Sequence, residues 1–270
     1  MKLLILLITF SLSIVSNHTF AEINSLSQAI NESGRLRMLS QRIAKAYLLK
    51  TMDVQPEKAD KQYYASLKKF EQNLSDLKAF NSENHSSASV EISLSIIEKQ
   101  WLTYKTELEK PIKQEAVFNI LALSDKTLSA CEELVKQLEN IAQRQSAKWV
   151  NISGRQRMLS QRIAKFYSAI SLEGINADYD AGLQLAIEQF ESALQQLIAS
   201  PDNTHFVNHK LRKVQTQWNF SKQGFKQLTK GASTPLVIFM TTESILRQMN
   251  DITALYEEID SNKKKNAITG

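Results

Sequence analysis

Hydrophobic residues recur at steps of three and four along most of the chain, which is the pattern of amphipathic helices that pack in a bundle. Short segments rich in Pro, Gly, Ser or Asn interrupt this pattern: Pro56, 81–89, Pro111, Gly174, 200–203 and 231–235. The pattern predicts four helices in each half, the first over about residues 22–52. Helices joined by short connections pack antiparallel, so we predict an all-α protein of two tandem antiparallel four-helix bundles.

One segment occurs twice with almost no change. Residues 33–45 return as residues 153–165, and only Leu36 differs from its counterpart, Gln156. The similarity continues more weakly along both halves, so the repeated unit is a whole four-helix domain. Two copies of a domain drift apart where only packing constrains them, and the near-identity of this segment therefore indicates a further role.

The domain bounds follow from the repeat. We place the first domain at 22–143, the second at 144–262 and a frayed tail at 263–270. Residues 1–21 combine a lysine, an uncharged apolar run and a small-residue ending, which is typical of a secretory signal peptide rather than a membrane span. An uncleaved N-terminal anchor is the alternative. The sequence therefore predicts a protein that lies outside the cytoplasm.

Composition excludes several classes of function. The formal net charge of +5 is too small to indicate a nucleic-acid or membrane-surface partner. The single cysteine, Cys131, excludes a disulfide within the chain. His205 and His209 could share a helix face but lack a third ligand, so we predict no metal site and no cofactor. We find no nucleophile with its base, no P-loop and no dinucleotide fingerprint, and therefore do not expect an enzyme.

The repeated segment places an arginine where a helix should meet another helix. Alternating four- and three-residue steps define one seam in each copy: Ile30, Gly34, Arg37, Gln41, Ala44 and Leu48, and Val150, Gly154, Arg157, Gln161, Ala164 and Ser168. A buried arginine is costly unless its charge is balanced. Glu32 could serve Arg37, but Ile152 replaces it in the second copy, so no local acid serves Arg157.

If the two seams face each other across a pseudo-twofold axis, Arg37 and Arg157 converge. A small planar oxyanion between them would relieve their repulsion, because each guanidinium offers a planar fork of donors. Glycine lacks a Cβ, so Gly34 and Gly154 would give room for a ligand. Further candidate donors are neutral (Ser33, Ser153, Gln41 and Gln161) or basic (Arg35, Arg155, Arg42 and Arg162). The alternative is a pair of solvated basic helices that resemble each other through recent duplication.

The connection between the halves decides whether the arginines meet in one chain. Residues 140–150 hold no Gly or Pro. A continuous helix there would set the bundles end to end, and two chains would then have to pair as a homodimer. A turn within 140–146 would instead build an intramolecular pseudo-dimer in a monomer. The sequence leaves both arrangements open.

The repeated segment, Ser-Gly-Arg-x-Arg-Met-Leu-Ser-Gln-Arg-Ile-Ala-Lys, resembles the signature of the type IV pilus chemoreceptor N-terminal (PilJ-type) sensor domain. It is also similar to the periplasmic segment of nitrate/nitrite sensor histidine kinases. The resemblance implies an antiparallel four-helix bundle in the periplasm that binds nitrate or nitrite between two first helices. The arginine before the methionine of the motif, here Arg37 and Arg157, is implied as the ligand contact, with Gly34 and Gly154 nearby.

Receptors of this kind carry transmembrane helices and a cytoplasmic output module, which we do not find here. We therefore expect a periplasmic nitrate- or nitrite-binding accessory to a membrane-bound chemoreceptor, histidine kinase or cyclase. The alternative is an interaction module without a small ligand, which would dock on a receptor through the helix-1 seam.

Overall fold

The computed structural model describes residues 23–84, 87–226 and 235–269. The predicted signal peptide at 1–21 and most of the predicted break at 231–235 lie outside the described residues. Within the described ranges, no helix is both long and apolar enough to cross a membrane.

Every long element in the described part of the chain is an α-helix. The bounds are α1 Leu26–Thr51, α2 Pro56–Glu83, α3 Ala88–Leu108, α4 Val117–Ala142, α5 Gln145–Glu173, α6 Ala177–Ile198, α7 His205–Lys226 and α8 Pro235–Thr269. A single 3-10 turn, Gln114–Ala116, leads into α4. The order and number of helices confirm the predicted all-α bundle fold.

The helix ends follow local chemistry. The Ser25 hydroxyl accepts from the Gln28 amide at 3.1 Å and so caps α1. Pro56 occupies the first turn of α2, where its missing N–H costs nothing. Gly174 follows α5 with a φ of 88°, a conformation that glycine adopts readily.

Two aromatic pairs mark equivalent points in the two cores. The rings of Phe70 and Trp101 stack with centroids 4.0 Å apart, and those of Phe190 and Trp218 lie 4.1 Å apart. All four side chains are buried. These pairs join the second helix of each repeat to the third, which agrees with a duplicated packing plan.

The chain turns sharply between α4 and α5. Helix α4 ends at Ala142, Gln143 adopts a left-handed conformation with a φ of 48°, and α5 begins at Gln145. This turn lays α5 along α1, and the two make the most extensive helix–helix contact in the described chain. Helix α4 packs on α1, and α8 packs on α5. The two repeats therefore meet through their first helices within one chain.

Two helix limits differ from those expected. We expected a loop at 81–89, but α2 continues to Glu83 because Phe80 and Asn81 are buried against the core. We expected a frayed tail from residue 263, but α8 continues through it to Thr269, and Lys263 donates to Asp202 at 2.5 Å.

Candidate functional site

The two copies of the repeated segment lie in the middle of α1 and α5, where these helices pack together. Arg37 and Arg157 are among the most buried side chains of the protein, with exposed fractions of 0% and 1%. An arginine rarely loses all of its contact with water unless its charge is balanced. The groups around each guanidinium therefore decide whether its charge is balanced.

Both guanidinium groups lie over both glycines. A Cβ added to Gly34 would lie 3.1 Å from Nη2 of Arg37 and 3.4 Å from Nη2 of Arg157. A Cβ added to Gly154 would lie 3.1 Å from Nη2 of Arg157 and 3.6 Å from Nη2 of Arg37. The seam thus brings the arginines of the two repeats together, and the absence of two side chains makes the space for them.

Each arginine reaches across to the backbone of the other helix. Arg37 Nη2 donates to the carbonyl of Asn151 at 3.3 Å, and Arg157 Nη2 donates to the carbonyl of Asn31 at 3.0 Å. These bonds are equivalent in the two repeats and hold each guanidinium against the opposite helix. The Nε atoms of both arginines are buried without a hydrogen-bond partner among the described residues.

The remaining contacts break the symmetry. Arg37 Nη1 donates to Glu132 Oε2 on α4 at 2.7 Å. At the corresponding point on α8, Arg157 Nη1 donates to the neutral side-chain oxygen of Asn250 at 3.4 Å. Two buried positive charges therefore share a single carboxylate at this level of the interface.

The pKa directions agree with this imbalance. Burial lowers the pKa of Arg157, and the neighbouring Arg35 lowers it further. Burial acts to raise the pKa of Glu132, but the charges of Arg37 and Arg155 hold it below its ordinary value. The carboxylate is thus ionised. The Arg157 guanidinium bonds to no carboxylate among the described residues, although the nearby charges of Glu32 and Glu257 offset part of the effect of burial on its pKa.

Sequence reasoning offered the wrong acid for Arg37. Glu32 accepts instead from Arg35 Nε at 2.9 Å and from Asn73 Nδ2 at 2.8 Å. The acid that serves Arg37 is Glu132, which is far away in the chain. In the sequence, the only indication that Glu132 could reach a buried cation was its position beside the apolar stripe of α4.

Two lysines of the repeated segment belong to the same interface, although sequence reasoning assigned them no role. Lys45 Nζ donates to Gln161 Oε1 and to Glu243 Oε1, both at 2.6 Å. Lys165 Nζ donates to Asp125 Oδ1 at 2.7 Å. Both lysine side chains are fully buried, and burial lowers the pKa of each to about 8. Each lysine has its own carboxylate, so neither offers an unbalanced charge.

The two serines predicted as neutral donors make bonds within their own helices. Ser33 Oγ donates to the carbonyl of Ile30 at 3.0 Å, and Ser153 Oγ donates to that of Val150 at 3.1 Å. Both are fully buried on α1 and α5. The structure thus places them in the interface, with their hydroxyl protons already used.

The two glutamines predicted as neutral donors are also engaged elsewhere. Gln41 Nε2 donates to the carbonyl of Ser124 at 3.0 Å, and Gln161 Nε2 contacts Ser160 Oγ at 3.3 Å. Gln161 Oε1 accepts from Lys45. Gln41 therefore contacts α4 and Gln161 contacts Lys45. Neither glutamine bonds to a guanidinium among the described residues.

The four predicted secondary arginines lie at the edge of the interface and each faces an acid. The pairs are Arg35 with Glu32 at 2.9 Å, Arg42 with Glu243 at 2.6 Å, Arg155 with Glu132 at 3.7 Å and Arg162 with Asp125 at 3.8 Å. Their side chains are between 20% and 43% exposed, so water screens them. Among the described cations of the repeated segments, Arg157 is therefore the one that bonds to no carboxylate.

The comparisons with known proteins agree with the repeat. The chain matches the family described as the type IV pili methyl-accepting chemotaxis transducer N-terminal domain over residues 18–127 and again over residues 140–255. Each match contains one copy of the repeated segment, and hence one of the two arginines. No curated protein and no solved structure matches the chain. The two matches span most of the chain and confirm the resemblance seen in its motif: the chain belongs to the PilJ family, a family of sensory domains of chemotaxis transducers.

Proposed function

We propose that this protein binds one small, planar, singly charged oxoanion, nitrate or nitrite, between Arg37 and Arg157. The observation that carries the proposal is the convergence of these two buried guanidinium groups over Gly34 and Gly154. No packing requirement explains it, because two cations brought together without water repel each other strongly. An anion between them converts that repulsion into two charge-assisted contacts.

The charges favour a single negative charge on the ligand. Glu132 bonds to Arg37, whereas Arg157 bonds to the neutral oxygens of Asn250 and Asn31, and the charges of Glu32 and Glu257 offset its burial only in part. One monovalent anion would balance the remaining positive charge of the two arginines, whereas a divalent anion such as sulfate would leave a surplus negative charge buried.

The donors favour a planar ligand. Within the described part of the chain, the Nε atoms of Arg37 and Arg157 are buried and unpartnered, and each lies in the plane of its guanidinium. A guanidinium presents its N–H groups as a planar fork that matches a trigonal oxyanion. The two glycines bring the donors close to the backbone of both helices, where a Cβ would obstruct them.

We further propose that the protein acts in the periplasm as a sensory accessory to a membrane receptor. The family supports a sensory role. The resemblance implies that receptors form such a site between the first helices of two subunits. Here α1 and α5 supply both helices within one chain, so the protein can bind its ligand as a monomer.

The alternative role, docking on a receptor through the helix-1 seam, has less support. That seam is covered, because Arg37 and Arg157 are 0% and 1% exposed between α1 and α5. It offers no accessible surface to a partner in this conformation.

The test is thermal unfolding of the chain from residue 22 to 270 with nitrate, nitrite, chloride or sulfate at constant ionic strength. Ligand at about a hundred times its dissociation constant should add about 2.7 kcal/mol to the unfolding free energy. We expect a shift for nitrate or nitrite alone. Arg37→Ala and Arg157→Ala should abolish it, whereas Arg212→Ala on the exposed face of α7 should not. Binding that survives both interface substitutions would refute the site.

A further inference from the structure

A second anion-binding site is suggested by a pocket where α1 and α2 of the first repeat meet α8 of the second. The pocket has a volume of about 560 Å³ and lies between α2 and α8, with α1 as its floor. Six of its fifteen lining residues are basic: Arg35, Arg42, Lys58, Lys61, Lys69 and Arg247. The lining contains one carboxylate, that of Glu243.

Most of this positive charge is not neutralised. Glu243 is already bound to Arg42 and Lys45, each at 2.6 Å. Among the described residues, no acid pairs with Lys58, Lys61, Lys69 or Arg247, and these four side chains stand at the exposed walls of the pocket. The Nε of Arg42 is buried there without a hydrogen-bond partner. The pocket therefore presents free cationic donors to whatever enters it.

The floor and one wall are apolar. Met38 and Leu39 of α1 lie at the base, and Phe239 and Met240 of α8 form part of the wall. Met240 is 57% exposed and leaves part of this apolar surface open to a ligand. A pocket that combines apolar surface with charged groups is suited to an organic molecule rather than to an inorganic ion.

The second repeat shows that the fold does not require these charges. At the equivalent points of α6, Asp178, Ala181 and Gln189 replace the three lysines of α2. One end of the groove is also filled there, because the ring of Phe166 packs on Gly182, where a Cβ would lie 2.5 Å from it. In the first repeat these two positions are Ala46 and Gln62. The second repeat keeps a pocket of about 510 Å³ further along α5 and α6, but its lining holds two basic side chains, Lys148 and Arg155, beside two acids, Glu139 and Glu188. The concentration of basic side chains is therefore particular to the pocket on α2.

We propose that this pocket binds an organic anion that carries two or three carboxylates on an apolar skeleton. The carboxylates pair with the lysines of α2 and with Arg247, while the skeleton lies on the methionines and Phe239. The volume lies within the roughly 300–1,000 Å³ typical of small-molecule sites. The site is separate from the arginine pair, although Asn250 lines the pocket and also contacts Arg157.

The experiment compares two triple variants of the full mature chain. The pocket variant, Lys58→Asp with Lys61→Ala and Lys69→Gln, introduces the residues of the second repeat. The control variant, Lys68→Gln with Lys99→Ala and Lys126→Asp, makes the same change in net charge at exposed positions outside the pocket. Titration calorimetry is performed with tricarballylate and isophthalate, with acetate and sulfate as reference anions.

We expect tricarballylate or isophthalate to bind the parent chain and the control variant at least about tenfold more tightly than the pocket variant, at fixed ionic strength. The nitrate response should be the same in all three proteins, and the pocket ligands should still bind Arg37→Ala. Equal weakening in both triple variants, or binding no tighter than that of acetate, would overturn the proposal. It would also be overturned if an acidic peptide bound in the pocket and neither carboxylate did.

Discussion

Asn250 meets Arg157 Nη1 with its side-chain oxygen at 3.4 Å, so the second of two buried arginines has a neutral partner. The first arginine, Arg37, meets the carboxylate of Glu132 at the corresponding point. Both repeats thus keep the cation, but only one keeps the anion. The difference allows the two halves of the interface to be tested separately.

Replacement of Asn250 by aspartate should make the protein independent of an added anion. The new carboxylate would balance Arg157, and a charge-assisted bond of this kind contributes about 1.5–3 kcal/mol. We expect a higher unfolding free energy in urea and weaker nitrate binding. Asn140→Asp on the exposed end of α4 serves as the control and should change neither. Tighter nitrate binding by Asn250→Asp would contradict the charge argument.

Removal of the single acid should have the opposite effect. Glu132→Gln leaves two buried guanidinium groups without a carboxylate, and the loss of one member of a buried ion pair costs about 3 kcal/mol. We expect a lower unfolding free energy that nitrate partly restores. Glu133→Gln is a matched control, since that neighbouring side chain is 53% exposed. The interpretation fails if both substitutions have the same effect on stability.

The glycines can be tested for a role in binding rather than in folding. Alanine favours a helix over glycine by about 1 kcal/mol, and this gain offsets part of the cost of the closer contacts that the new methyl group makes. We therefore expect Gly34→Ala and Gly154→Ala to change the unfolding free energy by no more than about 1 kcal/mol. The new methyl groups would press on the Nη2 atoms of both arginines, which we expect to reduce nitrate affinity by about tenfold or more.

Gly182→Ala provides the contrast for these substitutions. Its Cβ would meet the ring of Phe166 at 2.5 Å, away from the arginines. We expect a clear loss of thermal stability with unchanged nitrate affinity. A loss of affinity in Gly182→Ala as large as that in Gly34→Ala would show that the glycines act only through packing.

Because burial lowers the pKa of Lys45 and Lys165, we expect the unfolding free energy to rise with pH. Burial lowers the pKa of Lys45 and Lys165 to about 8, even though Glu243 and Asp125 face them, whereas an unfolded lysine titrates near about 10.4. Between these values the unfolded chain binds more protons than the folded one, so the unfolding free energy increases with pH. Buried tyrosines such as Tyr104 have a raised pKa and act in the opposite direction above pH ~10.

Urea unfolding from about pH 7.5 to about pH 9.5 tests this expectation, because the lysines titrate within that window. The double variant Lys45→Met and Lys165→Met should show a flatter profile than the parent chain. A parent profile that does not rise over the same window would contradict the lowered pKa values, as expected if the charges of Glu243 and Asp125 outweighed burial.

Much of the fold was accessible from the sequence because its causes are local. The three- and four-residue spacing of apolar positions marks the buried face of each helix, and prolines and glycines mark several of its ends. The expected loop at 81–89 was wrong in extent because Phe80 and Asn81 find tertiary contacts that prolong α2. Polar residues indicate a loop only when nothing nearby buries them.

The place of the two arginines on a helix-packing seam was also accessible, because spacing alone puts Arg37 and Arg157 there. Whether they meet within one chain was left open, since it depended on the turn at Gln143. Their role as anion ligands is the proposal tested above. The acid that balances Arg37 was not accessible from the sequence, since Glu132 lies 95 residues away along the chain. Local spacing pointed to Glu32, which faces Arg35 and Asn73 instead.

By itself, the sequence determined the helices, the duplication and the face of each first helix that must be buried. Only the tertiary structure decided that these faces bury each other. The chain reverses at Gln143, a residue without an intrinsic preference for its left-handed conformation, and the burial of α1 against α5 stabilises that turn. The balance of charge was decided in the same way, because a buried cation interacts with whatever packing brings near it, whether Glu132 or Asn250.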